Sequence, residues 1–126
     1  MIEDALSVTP VTPAGEVTVV AASFGELVEA HPGQPGRVAS SRVLKADGVR
    51  LVHLAFDDGQ QLTEHTAPVP ILLQCVTGRF TIEVAERRIE LAPGGIVHLT
   101  RRLPHAVTAH GESRLLITLL DSADWD

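Results

Sequence analysis

Histidine is the residue type in this sequence best suited to binding a ligand or a metal, and the chain has six histidines. If the run from His105 to Ala109 is a β-strand, the side chains of His105, Val107 and Ala109 point to one side, because side chains alternate across a strand. That side is apolar, so we expect His105 to point into the protein core.

The same alternation places two further sets of side chains on common faces. Ile71, Leu73 and Cys75 share one face, and Gln61 shares another with His65. If these faces turn inward together with that of His105, they line one mostly apolar cavity with a few polar groups, which is typical of small-molecule sites. The predicted ligand pocket consists of Gln61, His65, Ile71, Leu73, Cys75 and His105.

His65 and His105 are also the candidate metal ligands, and we expect them to face each other across the interior. Catalytic zinc and ferrous iron sites usually have three protein ligands, so His98, His53 or Cys75 would have to complete such a site. The alternative is that both histidines are half-buried imidazoles bonded to backbone or water. We expect Cys75 itself to be a small, buried hydrophobic residue. The sequence indicates no Ser-His-Asp arrangement, so it assigns no catalytic residue.

The elements that must position these side chains are mostly short strands. Residues 1–15 indicate a loose N-terminal arm, followed by a short strand from Glu16 to Ala21. Ser23 to Glu26 has the form of a capping box that opens a helix to about Ala30, and His31-Pro32-Gly33 ends it. Turn signals then separate β-rich runs at Arg37–Lys45, Val49–Phe56, Gln60–His65, Ile71–Thr77, Arg79–Val84, Arg87–Leu91, Ile96–Thr100, Pro104–Ala109 and Ser113–Leu120.

Eight or nine short strands without crossover helices predict an all-β antiparallel sandwich or barrel. The length of 126 residues fits a single domain. We therefore expect one domain over residues 1–126, with the barrel at about residues 37–121.

Two segments resemble the motifs of a known family. The segment 59–78, which contains Gly59, His65 and Gly78, resembles the first cupin motif. The segment 94–105, from Gly94 to the Pro104-His105 pair, resembles the second. The chain is thus similar to small single-domain cupins of the cupin-2 or RmlC-like type, and the resemblance implies a double-stranded β-helix, or jelly-roll barrel, with a short N-terminal helix.

In that family two histidines and a glutamate of the first motif and a histidine of the second bind a divalent metal. The resemblance assigns His65 and His105 to the first and last of these ligands. The second histidine falls on Ala67 and the glutamate on Ile71, and the glycine of the second motif falls on Arg102. The first motif is therefore degenerate, and a divalent metal (Zn, Fe, Ni or Mn) would have to be held by His65 and His105.

The composition excludes several classes of partner. A net charge of −6 and few aromatic residues disfavour nucleic acid. No stretch has the roughly 18 uninterrupted apolar residues of a membrane span. The single cysteine excludes an internal disulfide framework, and the acidic start lacks the basic region of a signal peptide. We expect a cytoplasmic protein.

Three functions remain open. The first is a binding module that holds a small organic ligand inside the barrel near His65 and His105. The second is a metal-dependent cupin enzyme, an oxygenase or isomerase acting on a small polar metabolite. The third is a structural or interaction domain with a filled barrel. The strand Arg114–Leu120 is apolar on both faces, which predicts a homodimer burying more than about 1,000 Å².

Overall fold

The computed structural model describes residues 15–121, with the side chain of Asp121 left out. It contains one helix and seven strands in this part of the chain. They are α1 (Phe24–Ala30), β1 (Ala39–Ala46), β2 (Gly48–Phe56), β3 (Gln61–His65), β4 (Ile71–Val84), β5 (Arg87–Leu91), β6 (Ile96–Leu99) and β7 (His105–Asp121).

The helix begins and ends where local sequence dictates. The Ser23 side chain accepts a hydrogen bond of 3.1 Å from the backbone N–H of Glu26, which satisfies one of the free donors of the first turn. His31 closes the helix as its C-cap. Both ends confirm the sequence prediction. The predicted strand from Glu16 to Ala21 is wrong, because this segment has no strand pairing.

The antiparallel strands form one continuous sheet that bends into two halves. In the first half, residues 113–121 of β7 pair with β2 on one side, and β2 pairs with the edge strand β1. On its other side, this part of β7 pairs with residues 71–77 of β4, which also pair with β6. In the second half, residues 105–110 of β7 pair with β3 and with residues 79–84 of β4, which also pair with β5. The halves face each other, since Phe56 and Phe80 meet edge to face with ring centroids 5.0 Å apart.

The two long strands, β4 and β7, pass through both halves, and glycines mark where they bend. Gly78 and Gly111 both have φ of +77°, a conformation that favours glycine. A Cβ on Gly78 would overlap with the Ser113 hydroxyl and lie 2.6 Å from the Glu112 carbonyl oxygen. The Ser113 hydroxyl accepts from the Arg79 N–H at 3.1 Å. The bend at Gly78 is therefore a place of close backbone approach. The predicted strand breaks at Gly78 and Gly111 are wrong, because β4 and β7 continue through them.

The space between the halves is closely packed. Leu54, Leu73 and Leu115 from the first half and Phe80 and Ile82 from the second belong to one buried cluster, with exposed fractions of 0–5%. Burial of apolar side chains on this scale is the main force that holds the halves together.

The outer face of the first half carries the N-terminal segment. Leu27 of α1 is 3% exposed, and it borders a depression with Phe24, Leu51 and Leu116. The second apolar face of β7 is thus partly covered by the chain's own helix. Among residues 15–121, no helix is long and apolar enough to span a membrane.

Candidate functional site

His65 and His105 lie side by side on adjacent strands. They are direct partners in the pairing of β3 with β7, and their ring centroids are 4.3 Å apart at an interplanar angle of 58°. We call them the mouth pair, because His105 is buried at 2% exposure whereas His65 is exposed. The expected juxtaposition therefore arises within one sheet rather than across the interior.

Backbone carbonyls fix the protonation of both rings. His65 Nδ1 lies 2.8 Å from the Thr63 carbonyl oxygen, and His105 Nδ1 lies 2.9 Å from that of Leu103. A carbonyl oxygen can only accept, so each Nδ1 must carry the proton. In the neutral rings, each Nε2 then has a free lone pair. The mouth pair thus offers two imidazole acceptors next to each other.

The electrostatics of the pair favour the neutral form of His105. Burial lowers the pKa of His105, and the neighbouring His65 lowers it further, while the hydrogen bond to the Leu103 carbonyl raises it. The first effect is the largest, because a charged imidazole loses its hydration inside the protein. A neutral His105 is the form that can accept a hydrogen bond or bind a metal at Nε2.

Gln61 lies on the other face of β3. Its partner on β7 is Thr108, whereas Leu62 pairs with Val107, which is 1% exposed. The register shifts between Leu62 and His65: β3 advances by three residues while β7, from Val107 to His105, advances by two. Such a bulge reverses the alternation. The assumption that Gln61 shares a face with His65 fails at this point, and Gln61 is exposed outside the predicted pocket.

Ile71, Leu73 and Cys75 do point inward, as predicted, but they are packed in the core cluster. Their exposed fractions are 3%, 0% and 0%. The Cys75 Sγ lies 3.4 Å from the Thr77 carbonyl oxygen, to which it can donate, and burial raises the pKa of the thiol. Cys75 is therefore a neutral core thiol rather than a nucleophile.

The other histidines stand apart from the mouth pair. His98 is exposed on β6, pairs with Leu72 and lies on the opposite face from the buried Leu99. His53 is fully buried on the outer face of β2, next to His31 of the helix end, with ring centroids 5.2 Å apart. We call His31 and His53 the helix pair. Neither nitrogen of His53 has a hydrogen-bond partner among residues 15–121.

A polar network that the sequence did not predict lies on the outer face of the second half. The Thr81 hydroxyl donates to Glu90 Oε2 at 2.6 Å and lies 2.6 Å from His110 Nε2. Thr81 lies between the acid and the histidine, so this is not the order of a nucleophilic triad. Cross-strand pairing of Thr81 with Glu90 brings the network together, and only the strand register could have revealed it.

Comparison with solved structures relates this arrangement to known proteins. A cupin superfamily protein from Desulfitobacterium hafniense DCB-2 aligns over 71% of this chain and 82% of its own, with a TM-score of 0.66 and 21% identity. A cupin 2 conserved barrel domain protein from Leptotrichia buccalis aligns over 76% of this chain and 47% of its own, with a TM-score of 0.70 and 24% identity.

The chain has the cupin fold. An RmlC-like cupin from Shewanella frigidimarina, with a TM-score of 0.64 and 16% identity over 73% of this chain and 84% of its own, agrees with that assignment. No family model matches the sequence, and no curated protein matches it either.

Arg102, the position of a motif glycine, has the backbone of a glycine. Its φ is +61°, in the left-handed region that side chains other than glycine rarely occupy. Its N–H donates to the Ala67 carbonyl oxygen at 2.7 Å, which ties the loop before β7 to the loop after β3. Both loops flank the mouth pair, so this hydrogen bond helps to hold the two loops together at the mouth.

The cupin fold implies a divalent metal, but the donor set here does not fit a complete centre. The two Nε2 lone pairs suit zinc, iron or nickel. Ala67 and Ile71 supply no ligand atom, and Ile71 is sealed in the core at 3% exposure. Within residues 15–121, no group of three or more His, Cys, Asp and Glu side chains could hold a metal ion.

Proposed function

We propose that this protein is a small-molecule-binding cupin domain whose ligand is held at the mouth pair. The observation that carries the proposal is the pairing of two imidazoles, 4.3 Å apart, whose Nδ1 atoms both face backbone carbonyls. Two acceptor nitrogens side by side match a small polar compound with hydroxyl or amine donors. The apolar neighbours Ala67 and Leu103, which pack against the core, would supply burial.

Co-purification provides the test. The protein is purified without chelator, denatured, and its released small molecules and metals are measured by mass spectrometry. The His65→Ala variant should lose the organic compound, and it should fold, because His65 is exposed. The His98→Ala variant changes an equally exposed histidine outside the mouth and should retain it. An identical set of released compounds in all three proteins would contradict the proposal.

A metal-dependent cupin enzyme, an oxygenase or isomerase acting on a small polar metabolite, is the second candidate. The free lone pairs at His65 and His105 favour it. In that case these two residues would hold the metal and substrate or water would complete its ligands. Metal in stoichiometric amount in the wild-type protein, lost in His65→Ala, would support this function over simple binding.

A structural or interaction domain with a filled barrel is the third candidate, and the close packing of Leu73, Cys75 and Phe80 favours it. It predicts that neither metal nor an organic compound is released specifically from the wild-type protein. The same co-purification experiment therefore separates all three functions.

We also propose a homodimer in the cytoplasm. Val17 is 89% exposed, Val19 74% and Phe24 46%, and this apolar surface adjoins the depression at Leu116. Exposed apolar surface of this kind is typical of contact sites. Light scattering at micromolar concentration should give twice the monomer mass, and a monomeric mass would contradict the dimer.

A further inference from the structure

A cavity of about 520 Å³ lies outside the barrel, far along β7 from the mouth pair. Its volume is within the range of small-ligand sites. Val28 of α1, Pro35 of the following loop and Ala55 of β2 contribute its apolar lining. Asp57, Glu112 and Arg114 contribute its charged lining. None of the residues predicted from the sequence as site residues lines this cavity.

Arg114 is held in place by the end of the helix. It is half-buried on β7 beside Ala55. Its Nη1 donates to the His31 carbonyl oxygen at 2.6 Å and to that of Val28 at 3.4 Å. A guanidinium has five N–H donors. Within residues 15–121 these contacts use only Nη1, so the donors of Nε and Nη2 can bind a further acceptor.

The lining of the cavity also carries negative charge. Asp57 is half-buried and its Oδ2 accepts from the Gly36 N–H at 3.4 Å, whereas Glu112 is exposed. With one guanidinium and two carboxylates, the lining has both signs of charge. A simple anion would be repelled by the carboxylates, and a simple cation by Arg114.

We propose that this cavity binds a small amino carboxylate, with its carboxylate on Arg114 and its ammonium on Asp57 and Glu112. Arginine favours carboxylates because its planar donors match the two oxygens. The ligand's apolar part would pack against Val28, Pro35 and Ala55. The site is separate from the mouth pair, so its test does not depend on the function proposed there.

Three matched probes test the charge requirement. L-leucine carries both charged groups, 4-methylpentanoate lacks the ammonium, and 3-methylbutan-1-amine lacks the carboxylate. Each is titrated to about 10 mM into ¹⁵N-labelled protein and followed by amide chemical shifts. We expect leucine to shift the amides around Ala55, Asp57 and Arg114, with an affinity at least about tenfold higher than that of either single-charge analogue.

Two substitutions assign the charges. Arg114→Gln should weaken leucine binding at least about tenfold and leave binding of the amine unchanged or stronger. Asp57→Asn should weaken leucine binding and leave binding of 4-methylpentanoate unchanged or stronger. Arg88→Gln, which changes an exposed arginine on β5, is the control and should bind all three probes as the wild type does.

Several results would overturn the proposal. They are equal affinity for the three probes, no shifts at the cavity with leucine, and unchanged leucine binding by folded Arg114→Gln. If that variant does not fold because the helix end loses its anchor, Asp57→Asn decides the question. In that case, leucine binding equal to wild type by Asp57→Asn would contradict the assigned role.

Discussion

The mouth pair and the helix pair contain the same two side chains at similar separations, 4.3 Å and 5.2 Å between ring centroids. In the mouth pair, both Nδ1 atoms have carbonyl partners and one ring is exposed. In the helix pair, His31 Nδ1 lies 2.8 Å from the Leu27 carbonyl oxygen. His53 is fully buried, and neither of its nitrogens has a hydrogen-bond partner in the described part of the chain.

The difference shows that hydrogen bonding, not proximity, decides what a histidine pair can do. The carbonyls at the mouth hold the Nδ1 atoms of both rings, which leaves Nε2 of each neutral ring as an acceptor. Under the helix, Arg114 is close enough to His53 to disfavour a second positive charge there. Burial disfavours the charged form of His105 as well, so the two pairs differ chiefly in their hydrogen-bond partners.

The largest predicted effect is acid destabilisation by His53. Burial first, then Arg114 and His31, lower its pKa from 6.5 to about 4. Below pH 6.5 the unfolded chain takes up a proton that the folded protein does not, so stability falls as the pH drops to about 4 and then levels off. The expected loss is about 3 kcal/mol, measured as the free energy of urea unfolding across this range.

His53→Leu should remove most of this dependence on pH. A smaller slope of the same sign should remain, because the pKa of His105 is also lowered. An unchanged slope in His53→Leu would show that His53 is not the group responsible.

Leucine substitutions should have opposite effects in the two pairs. At pH 7, His53→Leu removes two buried polar atoms without partners and should stabilise the fold by about 1–2 kcal/mol. His105→Leu leaves the Leu103 carbonyl without its donor and should destabilise by about 1–3 kcal/mol. Chemical unfolding of both variants measures the difference, with exposed His98→Leu as the control. If both substitutions changed the free energy of unfolding in the same direction, the contrast drawn between the two pairs would be wrong.

Adding two metal-binding side chains should strengthen metal binding at the mouth pair. Ala67→His with Ile71→Glu would place a third histidine and a carboxylate at the motif positions, and nickel should then bind at least about tenfold tighter, or about 1.4 kcal/mol. The buried carboxylate should lower the stability of the metal-free protein. Calorimetric titration measures the affinity, and His31→Ala should not change it. Equal affinities of parent and double variant would contradict the placement.

The smallest predicted effect concerns the loop beside the mouth. Arg102→Gly should relieve the strain of a φ of +61° and stabilise the fold by about 0.5–1 kcal/mol. Arg101→Gly, at the preceding residue of the same turn, is the comparison and should not stabilise. Thermal unfolding distinguishes them, and equal shifts in Tm would show that the gain is not specific to the left-handed position.

The sequence predicted features whose causes are local. The capping box at Ser23 located the helix, and alternation located strands such as Arg87–Leu91. Gly78 and Gly111 were predicted to end strands, but β4 and β7 continue through them. A turn and a bend within a strand both favour glycine with a positive φ, so the sequence does not distinguish them.

The site was predicted only in part, because its geometry depends on register. The proximity of His65 and His105 was predicted from alternation and motif position, and the two rings are adjacent. The bulge between Leu62 and His65 moved Gln61 to the other face, and no periodic pattern in the sequence indicates such an inserted residue. The contact of His31 with His53 links a helix end to a strand 22 residues away, so it follows from packing rather than from local sequence.

The most direct test of the central claim is the tautomer of each histidine, read from long-range ¹H–¹⁵N correlations of the imidazole rings near pH 7.5. We predict that His65 and His105 are both protonated at Nδ1, with unprotonated Nε2 atoms that shift together when the mouth is occupied. A proton on Nε2 of either ring would leave the mouth with fewer than two acceptors and would contradict the account.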